Sequence, residues 1–262
     1  MLTEIFLPKS ELAHVVRCYI SSSTPPDSAS CNFKRFRILS EGCPELIFHF
    51  GKPPQKLLSG DTSASTASSL LMGLYLRHVD VQLCGPCQTL FVQFQPWTQA
   101  WLLGDVATQA TDAQMDLDDV FCHWERDFMD RIRLTTNPQA AIPLIEAWLS
   151  RRLNSLVTDR QVIHAAALLQ DSGGNIPIQT LEAKVNLGIR RLEQRFTDHV
   201  GVGMKYYARI VRIRRTAEAI REQQGLHLTA IGYDHGFFDQ SHLIREFRHF
   251  AAMTPTIYAR AI

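Results

Sequence analysis

Two groups of residues in this 262-residue chain have types and spacings that could do chemistry. The first is Cys84-Gly85-Pro86-Cys87, a CxxC with Gly-Pro inside, the spacing of thiol–disulfide exchange. That chemistry wants the first thiol at a helix N-terminus, where its pKa is lowered. Here the flanking runs are strand-like, and Thr89–Phe94 has no helical periodicity. Gly-Pro also fits a hairpin, so the expectation is a structural turn with incidental thiols. The alternative is a redox or metal-sensing pair at Cys84 and Cys87. Zinc would need two further ligands, for which Cys31 and Cys43 are the candidates. His49, His78 and His123 are scattered, with no HxxxH or HxE pattern, and no GxSxG, Walker A or dinucleotide glycine motif occurs. No catalytic residue, metal or cofactor is assigned, and an enzyme is not expected.

The second group would read bases rather than break bonds. Arg190, Glu193 and Gln194 lie on the helix face opposite Leu192 and Phe196. Arginine can pair with guanine, glutamine with adenine, and glutamate can accept from cytosine. Gln240, Ser241, Ile244 and Arg245 form the corresponding set opposite Leu243 and Phe247. Ile244 either touches a thymine methyl or packs on a neighbouring helix, and Ile189 poses the same choice. Arg191 and Arg195 are assigned to phosphate or solvent. Of Arg209, Arg212, Arg214 and Arg215, one or two would approach phosphate, with the rest solvated or paired with Glu218 and Glu222. The competing reading of both sets is an ordinary charged, solvated helix face.

Elements of a particular kind must position these residues. From residue 158 the pattern predicts only helices: Val162–Leu169, Ile178–Val185, Ile189–His199, Met204–Gln224, Thr229–Asp234 and Asp239–Phe250, with a last one from Pro255. Asp239 and Thr254 are N-cap candidates and Pro255 stands at N1. Leu181–Phe196 and Ile231–Phe247 repeat one unit about 50 residues apart: short helix, glycine-containing turn, second helix polar outside. Helix–turn–helix with a polar outer face is the grammar of major-groove recognition. Before residue 96 the pattern changes. Phe33–Ile38, Glu45–Phe50, Val79–Leu83 and Thr89–Phe94, bounded by Gly and Pro, predict strands, and Gly60–Ser69 a surface loop. Val120, Phe121, Trp124, Phe128 and Ile132 predict one amphipathic helix. Ile142, Ile145, Trp148 and Leu149 predict a second, at about residues 138–153, linking the halves.

Charge divides the same way. Residues 1–154 hold 13 Lys+Arg against 16 Asp+Glu, whereas residues 155–262 hold 14 against 10, and 12 of those 14 are Arg. Such an asymmetry suggests a regulatory module joined to a polyanion-binding one. No apolar run approaches a membrane span. The Met1-Leu2-Thr3-Glu4 start puts a carboxylate where a signal peptide wants positive charge, so a cytoplasmic protein with six free thiols (Cys18 and Cys122 completing the set) is expected.

The helical half resembles the AraC/XylS family of bacterial transcription regulators. Gly232-Tyr233-Asp234-His235-Gly236-Phe237-Phe238-Asp239-Gln240-Ser241-His242-Leu243-Ile244-Arg245-Glu246-Phe247 is similar to the family's second helix–turn–helix signature. Met253-Thr254-Pro255 with Tyr258 resembles its closing motif, and Leu187–Phe196 with Thr197–Val202 the first copy. The β-rich half resembles the N-terminal domain of one branch, through Gly42–Phe50 and Phe91–Pro96. The chain departs from the family at Gly188 (usually a Ser or Thr N-cap), at Gly203-Met204 (usually Ser-Pro, so a frayed start to the long helix) and at Ala251-Ala252 (usually a glycine turn).

The resemblance implies an α+β, two-domain chain. Residues 1–155 would form a β-rich, cupin-like or related sensor and dimerisation domain with a helical linker, and residues 156–262 an all-α domain with two helix–turn–helix motifs joined by a long helix. It implies sequence-specific binding of double-stranded DNA to regulate transcription, as activator or repressor, under a small-molecule effector of unknown identity, with RNA polymerase as a further partner and no membrane. The matching base-contacting positions are Arg190, Glu193 and Gln194, then Gln240, Ser241 and Arg245. A homodimer is expected through residues 118–153, where Trp124, Phe128 and Trp148 look like exposed apolar stripes. The alternative is that these stripes pack on their own β-domain. Two other function classes compete: a thiol redox protein using Cys84 and Cys87, and a helical module binding a protein partner.

Overall fold

The computed structural model describes residues 2–23, 34–57, 63–65, 67–83, 86–104, 110–121, 125–222 and 228–261. Among the described residues the first half holds ten strands: β1 Leu2–Phe6, β2 Val16–Ser23, β3 Lys34–Ile38, β4 Glu45–Gly51, β5 Gln55–Leu57, β6 Ser63–Ser65, β7 Ser69–Met72, β8 Val79–Leu83, β9 Cys87–Phe94 and β10 Gln114–Asp116. They form two antiparallel sheets, in the orders β1-β2-β9-β4-β7-β10 and β3-β8-β5-β6. All four expected strands are present. Part of the expected Gly60–Ser69 loop differs: Ser63–Ser65 pairs with β5, where small polar residues give no hydrophobic alternation to read.

This half also carries α1 Gln99–Leu103, α2 Leu117–Phe121, α3 Arg126–Arg133 and α4 Pro138–Arg152. Asn137 starts α4, its side chain accepting from the Ala140 N–H at 2.9 Å, with Pro138 at N1. Ile145, Trp148 and Leu149 are buried in one core with Leu46, Phe48, Leu90, Val92 and Phe94 of the larger sheet. Phe128 stacks on Trp148 (4.7 Å, 13°) and meets Phe48 edge-on at 6.4 Å. These rings therefore correct the exposed-stripe reading, because Phe128 and Trp148 pack on their own β-domain. Of the expected single helix over residues 120–132, the described residues fall in α2 and α3, and residues 122–124 lie outside the described residues. Trp124 lies outside the described residues. Leu134, just past α3, is 82% exposed, beside a cleft of about 460 Å³ lined also by Asp127, Phe128, Asp130, Arg131, Leu144 and Arg151.

The second half is helical: α5 Arg160–Asp171, α6 Ile178–Val185, α7 Ile189–Val200, α8 Met204–Glu222, α9 Leu228–Asp234, α10 Gln240–Ala251 and α11 Pro255–Ala261. Its core gathers Leu181, Leu192, Phe196, Tyr207, Ile210, Leu243 and Phe247, and takes in Leu39 and Leu74 from the β-rich half. Met204 is fully buried and the Tyr207 N–H reaches the Gly203 carbonyl at 3.0 Å, so α8 is not frayed at its start. Among the described residues no helix is long and apolar enough to cross a membrane.

Candidate nucleic-acid interface

Helices α6 and α7 form the first helix–turn–helix. Leu181, Val185, Leu192, Phe196 and Val200 are buried, while Arg190, Arg191 and Gln194 are exposed and Glu193 is half-buried. Gly188 is the N-cap of α7 and has no side chain to offer. Glu182 supplies the acceptor instead, taking the Ile189 N–H at 3.0 Å. A carboxylate there satisfies an orphan donor and suits the positive end of the helix dipole. At the other end Gly201 adopts φ +87, and a β-carbon there would lie 2.2 Å from Gln99 and Thr111 of the first half. Only glycine meets both demands.

Helices α9 and α10 form the second. Asp239 caps α10, accepting from the His242 N–H at 2.6 Å. Leu243, Phe247 and Phe250 are buried; Gln240, Ser241, Arg245 and Arg248 are exposed. The two copies superimpose in sequence at an offset of 51, Leu192 and Phe196 matching Leu243 and Phe247. Ile189 packs against the helical core, which answers its choice; Ile244 is half-buried.

Position 195 and its equivalent 246 show a shared device with reversed charge. Arg195 donates to Asp159, the N-cap of α5, at 2.6 Å and to Gln161 at 2.7 Å. Glu246 accepts from Arg209 of α8 at 2.7 and 3.0 Å. Burial works against the Glu246 carboxylate and is the largest single influence, but the hydrogen bonds and charge of Arg209, with His242 and His249, together outweigh it and hold its pKa below the ordinary range. Helix α7 is thus tied to the start of α5, and α10 to α8. Arg195 is consequently engaged within the protein, not held out for phosphate.

The same holds along α8. Arg212 donates to the Gly174 carbonyl at 2.7 Å and lies over the Phe237 ring. Arg214 reaches Glu41 of the first half and pairs with Glu218 at 3.3 Å. Arg215 is exposed. Contacts from the first half also close both recognition helices. Thr111 donates to the Gly201 carbonyl at 3.0 Å, and Arg37 to the Ala251 carbonyl at 2.9 Å. Sequence reasoning missed Arg37, Arg248 and Phe238, the last 85% exposed just before α10. Arg248 was findable, since it lies three and seven residues beyond Arg245 and Ser241 on one stripe.

At the other candidate, Cys84 and Gly85 lie outside the described residues, as do Cys31 and Cys122. Cys87 is buried at the start of β9, with Sγ 3.4 Å from Thr89 Oγ1, and burial pushes its pKa up. Burial also pushes Cys43 well up and Cys18 up. These are the surroundings of inert thiols rather than reactive ones. Among the described residues no three His, Cys, Asp or Glu side chains are placed to hold a metal ion.

Residues 181–261 match a helix-turn-helix domain family, and residues 4–116 match a domain of unknown function (DUF6597). No curated protein matches this sequence. Among solved structures, ToxT from Vibrio cholerae aligns with a TM-score of 0.51 at 10% identity, over 93% of this chain and 98% of that one. ToxT from Vibrio cholerae O395 bound to (E)-4-(8-methylnaphthalen-1-yl)but-3-enoic acid gives 0.51 at 11%, over 92% and 98%. The AraC-like transcriptional activator CuxR gives 0.26 at 13%, over 83% and 86%. At such identities the likeness to ToxT is one of fold.

Proposed function

We propose that the chain is an AraC-type helix–turn–helix regulator with a β-rich N-terminal domain, and that it reads a specific duplex DNA sequence with α7 and α10. Residues 1–155 form the sensing unit and residues 156–262 the DNA-binding unit. Arg190, Glu193 and Gln194 face bases in one major-groove segment, and Gln240, Ser241, Ile244 and Arg245 in the other. Arg191 contacts phosphate. One observation carries this reading: two second helices of helix–turn–helix pairs in one chain, each buried along an apolar stripe and clamped to a neighbouring helix, α7 to the start of α5 and α10 to α8, both present their polar faces to solvent. Between them α8 runs 19 residues, or roughly 28 Å at 1.5 Å per residue, against about 34–36 Å for one turn of B-DNA. A separation on that scale suits successive major grooves on one face of the duplex.

The N-terminal domain is the sensor in this reading. One of the similar structures, ToxT from Vibrio cholerae O395, is bound to an acid with an apolar aromatic body, and that class is the first to test here. The cleft between α3 and α4 offers Phe128, Leu134 and Leu144 as an apolar wall, with Arg131 and Arg151 for a carboxylate, beside Asp127 and Asp130. An effector that binds one arrangement of the two domains better than another shifts DNA affinity by that difference. Homodimer formation and contact with RNA polymerase belong to the same reading.

The test is selection of bound duplexes from a random pool by the full chain, with and without cell extract. Enrichment of a two-segment site whose binding weakens steeply with salt is expected. A pool that remains random, with no salt-dependent binding, would overturn the proposal.

A further inference from the structure

The residue before an N-cap usually has a structural role. An apolar side chain there packs against the fourth helical residue and fixes the chain's entry into the helix. In the first copy Leu187 fills that position, and it packs against the buried cluster that contains Leu192. Phe238 is its equivalent in the second copy, 51 residues on. Its ring is 85% exposed, whereas Leu243, its expected partner, is buried against Gly232. Its surroundings are ordered. Its N–H donates to His242 Nδ1 at 3.3 Å, Asp239 caps the helix behind it, and Phe237 turns inward against His242. An exposed ring adds no burial to the folded state, so stability does not account for it.

Its place does offer a role. The N-terminal residues of a recognition helix meet base edges, and Phe238 directly precedes Gln240 and Ser241 with only the cap between. Phenylalanine is a side chain that contacts the thymine methyl in the major groove. We propose that Phe238 reads a thymine methyl group, as an apolar specificity contact of the second helix–turn–helix. This inference rests on the DNA-reading role given to α10.

Uracil presents the hydrogen-bonding edge of thymine without its methyl. In duplexes selected by the full chain, the segment under α10 is the one whose base preference Arg245→Ala relaxes. Replacing thymines there by uracil, one at a time, is expected to lower wild-type affinity about fourfold at one position, the worth of one buried methyl. Phe238→Ala should bind the thymine and uracil duplexes alike, and Phe238→Leu should keep part of the difference. The wild-type comparison needs no variant, so it stands even if a substitution perturbs folding. A wild-type chain that selects a site yet binds thymine and uracil alike overturns the proposal and leaves DNA reading intact. Discrimination kept in Phe238→Ala but lost in Ile244→Ala also overturns it, by giving the contact to Ile244; discrimination kept in both overturns it as well, by giving the contact to another residue. A chain that selects no sequence removes the parent reading and this one with it.

Discussion

Arg37 on β3 places Nη1 2.9 Å from the carbonyl oxygen of Ala251, the last residue of α10. Its other nitrogens hold Asp80 of β8 at 2.7 and 2.6 Å. One side chain, fixed within the smaller sheet, therefore closes a recognition helix of the other domain. A cation is favoured there by the helix dipole. Removing it as Arg37→Ala takes one hydrogen bond from the Ala251 carbonyl and two from the Asp80 carboxylate, at a cost of about 1–2 kcal/mol. Urea unfolding followed separately in each half is expected to show the helical half loosening first. Coincident, unshifted transitions would mean the contact is idle.

Base readers and phosphate contacts should separate by variant. Arg190→Ala is expected to relax preference in one segment of the selected site and Arg245→Ala in the other, each by about 1–3 kcal/mol. Arg191→Ala should weaken all sequences alike and reduce the salt slope by about one. Equal loss on every sequence for Arg190→Ala and Arg245→Ala would make both phosphate contacts.

Ala252 ends α10 in the left-handed region, at φ +50. A β-carbon is disfavoured there by roughly 1 kcal/mol. Ala252→Gly is expected to raise the melting temperature by about 2–4 °C. A lowered one would show that the loss of chain entropy in the unfolded state outweighs the relieved strain.

Glu45 is buried, with Oε1 accepting from Gln93 Nε2 at 2.7 Å. Burial, then the charge of Glu41, raises its pKa from 4.5 to about 7, against the hydrogen bond from Gln93 and the charge of Arg17. The folded value lies above the unfolded one, so the contribution is fully present below about 4.5 and is lost as pH rises through 7. Glu45→Gln should flatten that window and stabilise the protein at pH 8 by roughly 3 kcal/mol. Urea unfolding at pH 5 and pH 8 measures it; an unchanged pH slope would contradict the assignment.

The buried thiols Cys18, Cys43 and Cys87 should alkylate at pH 8 more than about tenfold slower in the folded protein than in urea. Peptide mass spectrometry resolves the three sites. Rapid labelling of Cys87 in the folded chain would revive a redox role.

The helical half was legible because its signals are local. Asp239, Thr254-Pro255 and the Leu192/Phe196 and Leu243/Phe247 pairs mark caps and buried faces within one or two turns. The half-buried state of Glu193 and the inward pairing of Arg195 were not legible, since each depends on where Gly203 and Asp159 arrive from elsewhere. In the β-rich half, β4 and β9 announce themselves with aromatic and branched residues. β1 and β2 carry Thr, Glu and several serines, and hold their place by pairing with a neighbour. The stripe of Phe128 and Trp148 was seen correctly as apolar, but its partner, Phe48, lies 80 residues away from Phe128 in the chain, where periodicity is silent.

The carbonyls of Gly201 and Ala251 have a consequence for any attempt at modular exchange. Both point at donors that belong to the preceding domain, Thr111 and Arg37. A DNA-binding half grafted onto a foreign sensor would arrive with the ends of both recognition helices uncovered. Chimaeras that transplant Arg37, Asp80 and Thr111 along with the helices should preserve the angle between α7 and α10, and with it the spacing of the site they choose. Chimaeras cut cleanly at the linker should bind each half-site yet tolerate altered spacing between them.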